Sequence, residues 1–473
     1  MIATLIRKEI AVARRDNVFL FLASVLALLL IAATLDGWNR LQADDAARAA
    51  AEETDRTVWV NQGANNPHGA AHFARYAFRS TPPLAAFDPG LYDYAGAAFW
   101  MEAHTQNPTT LRRAEDAAVQ APFPSLSSAW IIQVVGTLAL AALLYSTIAG
   151  ERERGTLKAL LGAGVSTSEL TVGKTLAVLL SVGLLSLALV LLPLAPVLLN
   201  NAVTAFLPNV LLLGLVYCMG LLAFAMLVLG ISARAQRSVQ AFSTAAILWL
   251  FMALLWPIVA GQLALSLYPD IDEQQLKDDI QTRAQTPFWE GDLQESAVAS
   301  FEAQVIAEFS ADSFGELGFD REALVLQAHE EFANQIYDEL YGQLNGVHSA
   351  QDRVLRYASA LSPILALQRV SSGLSGTDLL AQQTFAQQAE LHRRKIIKML
   401  NWDMMLNAGE SGYSYTADRS LWESIPDFVG SKPTLSQILS YYAIELFLLL
   451  LWLVGASAFA IRSTRSAVTG GGK

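Results

Sequence analysis

The chain has 473 residues, of which 53% are hydrophobic and only 16% are charged, a composition too apolar for an ordinary soluble protein. Its net charge of -11 argues against nucleic acid as a partner, and its single cysteine, Cys218, excludes an intrachain disulfide. We therefore expect an integral membrane protein that uses the lipid bilayer as part of its solvent.

Six segments are long and apolar enough to cross a bilayer, because about 20 helical residues cover roughly 30 Å of hydrocarbon. The predicted fold is all-α, with six transmembrane helices and two extracytoplasmic regions, of which the larger is helical. The predicted transmembrane helices are 18–37, 129–149, 176–199, 207–231, 239–263 and 438–461, and the two regions are 38–128 and 264–437.

The distribution of Lys and Arg predicts the orientation. These residues occur in the N-terminal segment 1–17, in the loops 150–175 and 232–238, and in the tail 462–473, whereas the link 200–206 has no charge. Positively charged short segments are retained in the cytoplasm. Both termini are therefore expected to be cytoplasmic, in a bacterial inner membrane.

The N-terminal segment is predicted to be an interfacial helix. Ile2, Leu5 and Ile6 begin an apolar stripe, while Arg7 and Lys8 lie mostly off it, a pattern typical of a helix lying at a membrane surface. The apolar run that follows is longer than the roughly 7 to 15 residues of a signal peptide, so we interpret it as a retained span.

The first extracytoplasmic region is rich in turn residues and holds three of the six histidines, His68, His72 and His104. His68 and His72 are four residues apart, which on a helix places both imidazoles on one face. This geometry suits a metal ion, with Glu102 or His104 as a further ligand. The alternative is ordinary surface or core histidines, because no third ligand follows at a fixed spacing.

The loop after the second span reads GERERGTLKALLGAGVSTSELTVGKT, from Gly150 to Thr175. Its alternating charges form a solvated cluster, Gly155 permits a break, and the leucines that follow predict a short amphipathic helix. The string VGKT ends like a phosphate-binding loop, but Ser168 stands where that motif requires glycine. We therefore expect neither a nucleotide site nor another cofactor in this chain, and no enzymatic activity.

The E-R-E-R-G-T-L segment between the second and third spans, with S-x-x-E-L-x-x-G-K at Ser166 to Lys174, resembles the permeases of the ABC-2 exporter family. A subgroup with a large insert between the fifth and sixth spans is most similar. In that family the loop is a coupling helix that sits in a groove of a separate ATPase. The resemblance implies that the contact is made by Glu151, Arg152, Glu153, Arg154, Gly155, Thr156, Leu157 and Leu160.

The resemblance also implies the partners: two copies of an ABC ATPase, which bind ATP and Mg, and a second permease chain forming a homodimer. The leading hypothesis is an ATP-driven exporter. A second hypothesis is a mechanotransmission or assembly device that acts on a periplasmic partner, for example in metalloenzyme maturation, without transporting anything.

Glu445 is the one charged residue in the apolar runs of the six predicted spans, the first of which extends from Val18 to Leu35. A carboxylate within lipid is costly unless it is paired, protonated or hydrated, so we expect it to face the interior of the helix bundle. A structural hydrogen bond and a role in the substrate path both fit. A proton-coupled secondary transporter is disfavoured, because it would require several ionisable groups in the spans.

Overall fold

The structure is a computed structural model that describes residues 2–15, 17–73, 75–112, 126–198 and 206–469. The described residues contain six helical segments long and apolar enough to cross a membrane, which confirms the predicted all-α membrane fold. We call the predicted regions 38–128 and 264–437 the first and the second insert. Three predicted segments lie at least partly outside the described residues: the link 200–206, the end of the tail at 470–473, and residues 113–125 of the first insert. Spans 1 to 6 are Asn17–Val60, Ser128–Glu153, Thr167–Ala195, Leu207–Arg234, Ser238–Leu267 and Ala443–Val468.

The α-helices are, in chain order, α1 (Ile2–Arg15), α2 (Asn17–Val60), α3 (Pro67–His72), α4 (Ser128–Trp130), α5 (Thr137–Leu144), α6 (Ala149–Glu153), α7 (Thr156–Gly162), α8 (Thr167–Leu198), α9 (Leu207–Arg234), α10 (Ser238–Leu250), α11 (Trp256–Leu267), α12 (Glu273–Ile280), α13 (Thr286–Trp289), α14 (Leu293–Phe309), α15 (Phe314–Leu317), α16 (Arg321–Ala358), α17 (Pro363–Ser375), α18 (Leu379–Asn407), α19 (Arg419–Ser424), α20 (Leu435–Tyr441) and α21 (Ala443–Thr469). Short π-helical stretches at Ile131–Gly136 and Phe251–Leu255 continue spans 2 and 5, and a third joins α12 to α13 at Gln281–Gln285. Three 3₁₀ turns lie at Pro83–Ala86, Ser359–Leu361 and Gly409–Ser414.

The helix of span 1 is much longer than a bilayer requires. At 44 residues α2 extends about 66 Å, roughly twice the hydrocarbon thickness. Its second half is polar and is held by pairs within the helix, such as the bond from Arg48 to Glu52 at 2.8 Å. One continuous helix therefore joins the predicted span 18–37 to the region that the sequence predicts from residue 38 onwards.

Span 6 begins at Ala443, five residues later than predicted. The preceding residues form the separate short helix α20, which starts with a capping box between Thr434 and Gln437. Tyr442 lies between the two helices with ψ near 16°, outside the helical range. A turn therefore separates α20 from the span, although both are apolar.

Span 4 lies at the centre of the transmembrane bundle. Its side chains Tyr217, Phe224 and Leu229 are fully buried. Gly230 allows close contact with span 6, because a Cβ atom at this position would lie 2.3 Å from Cδ1 of Phe459. The absence of a side chain at Gly230 therefore sets the distance between these two spans.

Helix α17 packs inside the bundle although it belongs to the segment 264–437. Ile364, Leu367 and Leu374 share one apolar core with the spans. The Ser362 hydroxyl, which caps α17, also donates to the carbonyl of Met252 in span 5 at 2.8 Å. The sequence did not predict this packing, because α17 is too short to span a membrane and contains Arg369.

The remaining described residues of 38–128 and 264–437 form one packed unit, which we call the insert domain. Helices α16 and α18 pack along each other, and Trp59 of α2 meets Trp422 of α19 with ring centroids 5.6 Å apart. A small antiparallel sheet of strands in the order β1 (Tyr76–Phe78), β2 (Ala98–Trp100) and β3 (Thr109–Thr110) lies within the first insert. In its register Ala77 faces Phe99, and Phe99 faces Thr109.

Candidate functional site

The loop between spans 2 and 3 projects one short helix, α7. Gly155 before it and Gly164 after it have positive φ values of 75° and 88°, a conformation that other residues rarely adopt. The loop therefore reverses direction at both ends of α7 and presents this helix at one end of the bundle.

The second half of the motif secures the start of span 3. Ser166 and Glu169 form a reciprocal cap, in which the Glu169 amide donates to the Ser166 hydroxyl at 3.2 Å and the Ser166 amide donates to the Glu169 carboxylate at 3.0 Å. Leu170 is buried in the core. Gly173 makes room for helix α1, because a Cβ atom there would lie 2.9 Å from Cδ1 of Leu5.

Lys174 ends the motif and joins three elements through buried ion pairs. Its ammonium lies 2.8 Å from Glu9 of α1 and 2.8 Å from Glu151 of span 2. Lys8 binds the same Glu151 oxygen. Only 1% of the Lys174 side chain and 5% of the Glu151 side chain are exposed, so loss of either partner would leave a buried charge without compensation. These pairs connect the end of span 2 to α1 and span 3.

Arg152 and Glu153 tie the loop to spans 4 and 5. Arg152 donates to the carbonyls of Ala233 and Ala235, where the last carbonyls of span 4 have no helical partner. Glu153 accepts bonds from the Ser238 amide at 3.1 Å and the Ser238 hydroxyl at 2.6 Å, at the first turn of span 5. Both charged side chains thus have partners within the chain.

The structure divides the predicted coupling residues into two groups. Glu151 and Leu157 are buried, and Arg152 and Glu153 bond to other spans, so these four organise the loop from within. Leu160 is half-buried. The residues available to a partner protein are Arg154, Gly155 and Thr156, with the neighbouring Lys158 and Ala159, which are all exposed.

Glu445 lies in the first turn of span 6 and is fully buried. Its carboxylate accepts from Arg369 of α17 at 2.9 Å, and Arg369 also makes two bonds to Asp352 of α16, at 2.9 and 3.0 Å. Arg356 lies 3.5 Å from the same carboxylate. The predicted intramembrane carboxylate is therefore paired by the element that the sequence did not place in the bundle.

The three predicted histidines come together in the insert domain. His68 is buried, His72 is exposed, and their Nε2 atoms lie 3.1 Å apart, while the Nε2 of His104 is 3.3 Å from that of His68. Burial and the neighbouring rings of His104 and His72 lower the pKa of His68 to about 4. These three imidazoles therefore converge on one point.

Two further residues of this cluster escaped the sequence analysis. His329 and Glu330 of α16 lie 2.8 and 3.0 Å from Nδ1 of His104. Burial alone would raise the pKa of Glu330, but the charge of Arg393 and bonds from His104 lower it. His329 is 225 residues from His104, so no local spacing could have revealed the contact. Glu102, the alternative ligand, instead accepts a bond from Asn107 at 2.8 Å.

Comparison with known proteins gives two family matches. The model of the ABC-2 family transporter protein matches residues 3–311, which is more than half of the chain. The model of a domain of unknown function (DUF3526) matches residues 277–429, most of the second insert. No curated protein and no solved structure matches the chain. The cluster thus joins histidines of the first matched region to His329 and Glu330, which lie in the second alone.

Proposed function

Because the chain belongs to the ABC-2 family of transporter proteins, we propose that it is the permease subunit of an ATP-driven exporter in a bacterial inner membrane. The observation that carries the proposal is the loop between spans 2 and 3, which exposes α7 and is tied by buried ion pairs to α1 and span 3. A force applied to α7 reaches three elements of the membrane part through these contacts.

ATP and Mg are held by a separate ATPase chain in this proposal. The only string of the sequence that resembles a phosphate-binding loop has Ser168 in place of its first glycine. The structure places this string in the first turns of span 3, with Lys174 committed to Glu9 and Glu151. Two permease chains and two ATPases form the complex, and closure of the ATPases pushes α7 of each permease.

The orientation that follows from this proposal puts α7 in the cytoplasm and the insert domain in the periplasm. The segments 1–17, 150–175 and 232–238 carry most of the Lys and Arg outside the inserts, as cytoplasmic segments do. A reporter enzyme that is active only in the periplasm is expected to be active when it is fused at Gly342. A cytoplasmic location of the reporter would refute this orientation.

A second candidate function is mechanical work on a periplasmic partner without transport. It is favoured by the direct connection between the insert domain and the spans: α2 continues from span 1 into the insert domain, and α17 packs against spans 4 and 6. Movement of the spans would therefore move the insert domain. Export of a substrate by proteoliposomes containing the complex distinguishes the first function from the second.

The test of the proposal is a comparison of two charge reversals in the coupling loop. Arg154→Glu changes an exposed residue and is expected to reduce co-purification of the ATPase at least tenfold while leaving thermal stability unchanged. The matched control is Arg237→Glu, also an exposed arginine at the same end of the bundle but outside the loop between spans 2 and 3. Equal co-purification by both variants would contradict the coupling role of this loop.

A further inference from the structure

The histidine cluster of the insert domain has the geometry of a metal-binding site. One ring nitrogen from each of His68, His72 and His104 lies within 4.8 Å of those of the other two. Metal to nitrogen bonds of about 2.0 to 2.1 Å at tetrahedral angles place two ligand nitrogens roughly 3.4 Å apart. The separations of 3.1 Å and 3.3 Å from His68 to His72 and to His104 are close to that value.

Hydrogen bonds around the cluster indicate which ring nitrogen carries the proton in His68 and in His104. Nδ1 of His68 lies 3.4 Å from the Asn401 side-chain oxygen, and Asn401 is held in this orientation by donating to Gln327 at 3.0 Å. Nδ1 of His104 lies 3.0 Å from the Glu330 carboxylate. Both Nδ1 atoms therefore donate, and in the neutral rings both Nε2 atoms carry a lone pair.

Two lone pairs that face each other at 3.3 Å require something positive between them. An N–H of His72 can donate to His68, but the same proton cannot satisfy His104 as well. A metal ion satisfies all three lone pairs at once. The bonds to Asn401 and Glu330 then hold the rings of His68 and His104 in the orientation that a metal ion needs, as such bonds commonly do for metal-binding histidines.

We propose that His68, His72 and His104 bind a divalent first-row transition metal ion through their Nε2 atoms. Three imidazoles suit ions such as Zn²⁺, Cu²⁺ or Ni²⁺. His72 is exposed, so the site opens to solvent and leaves a fourth position for water or another ligand. All three ligands come from the first insert, and their orienting groups come from α16 and α18.

His329 and Glu330 contact Nδ1 of His104 and do not form a second metal site. Glu330 is already neutralised by Arg393, which donates to it at 3.0 Å and is itself fully buried. His329 is fully buried as well, and its Nδ1 faces Nδ1 of His104, on the side of the ring opposite to Nε2. A metal ion at Nδ1 of His104 would have to break the bond from His104 to Glu330 that orients the Nε2 atom of His104.

The experiment uses the full chain, purified in detergent without a polyhistidine tag and stripped with a chelator. Titration with ZnCl₂ in a calorimeter is expected to show one ion per chain. His72→Ala should weaken binding at least tenfold, and because His72 is exposed this variant is expected to fold normally. The matched control is His348→Ala, a half-buried histidine elsewhere in α16, which should bind as the wild type does.

A second readout identifies the ligands. Co²⁺ bound in a tetrahedral histidine site gives visible absorption bands, and these are expected for the wild type and for His348→Ala but not for His72→Ala. The proposal is overturned if the wild type binds no Zn²⁺, or if His72→Ala binds it as tightly as the wild type does. Neither result would bear on the ATPase coupling proposed above, since the two sites are at opposite ends of the predicted topology.

Discussion

At the scale of single residues, the buried charges of this protein are satisfied by partners distant in sequence. Arg369 is the clearest example, since it is nearly buried and serves both Asp352 and Glu445. Tyr441 donates to the same Asp352 at 2.8 Å. Burying a charge is costly unless it is paired, and loss of one partner leaves the other uncompensated. The loss of stability caused by each substitution in this network therefore depends on whether it leaves a buried charge without a partner.

We predict that Arg369→Met destabilises the protein far more than Glu445→Gln. The first change removes the closest cationic partner of both Asp352 and Glu445, leaves them the longer contacts of 3.5 Å to Arg356, and is expected to cost about 3 to 5 kcal/mol. The second keeps the bonds between Arg369 and Asp352 and still offers an oxygen to Arg369, so about 1 kcal/mol is expected. Thermal unfolding of the detergent-solubilised variants measures both. Equal losses in the two variants would mean that Arg369 does not hold this network together.

At the scale of helices, the contact between spans 4 and 6 depends on the lack of a side chain at Gly230. The ring of Phe459 occupies the space that a Cβ atom would need. Gly261 of span 5 offers the opposite case, since a Cβ atom there would meet nothing within 4 Å. Helix propensity favours alanine over glycine at both positions, but only at Gly230 would the added methyl group clash with another span. Comparing the two positions therefore distinguishes the effect of packing from that of helix propensity.

We predict that Gly230→Ala lowers stability and that Gly261→Ala does not. The added methyl group at Gly230 forces the two spans apart or displaces Phe459, at a cost of about 1 to 3 kcal/mol. Gly261→Ala is expected to be neutral or to stabilise by up to about 1 kcal/mol. Thermal unfolding of both variants in the same detergent checks the prediction, and a loss of stability in Gly261→Ala alone would contradict it.

The six spans could be predicted because each is a long apolar run, and span 4 begins at the predicted residue, Leu207. The continuity of α2 was not predicted, because its second half is polar and the predicted first span ends at residue 37. Helix α17 was missed because Arg369 resembles a surface residue until Asp352 and Glu445 are seen beside it. The sequence shows where apolar surface begins and ends but not which charges will meet.

In the candidate sites, too, the sequence revealed residues that are close together in the chain but not those that are brought together by packing. The coupling loop was found because its residues are contiguous, but Glu151 and Leu157 point inward, and burial of a loop residue is set by helices that are distant in sequence. His68 and His72 were found from their spacing on one short helix. His329, Glu330 and Asn401 could not be, because the packing of α16 and α18 against the first insert brings them there.

At the scale of the whole molecule, contacts connect three parts: the loop between spans 2 and 3, the transmembrane bundle and the insert domain. The loop that exposes α7 is joined to α1 and span 3 by Lys174, and to spans 4 and 5 by Arg152 and Glu153. Span 4 packs on span 6 and on α17, and α17 is joined to α16 of the insert domain through Arg369. A continuous series of packed elements therefore joins α7 to the insert domain, which is the connection that the proposed function requires.

The central claim is that this chain works as a membrane subunit driven by a separate ATPase. The most direct measurement is ATP hydrolysis by the purified chain alone and after co-expression with its cognate ABC ATPase, together with the mass of the complex. We predict no hydrolysis by the chain alone, and an ATP-hydrolysing complex of two permease and two ATPase chains. Robust hydrolysis by the isolated chain, or failure of the ATPase to co-purify with it, would contradict the claim.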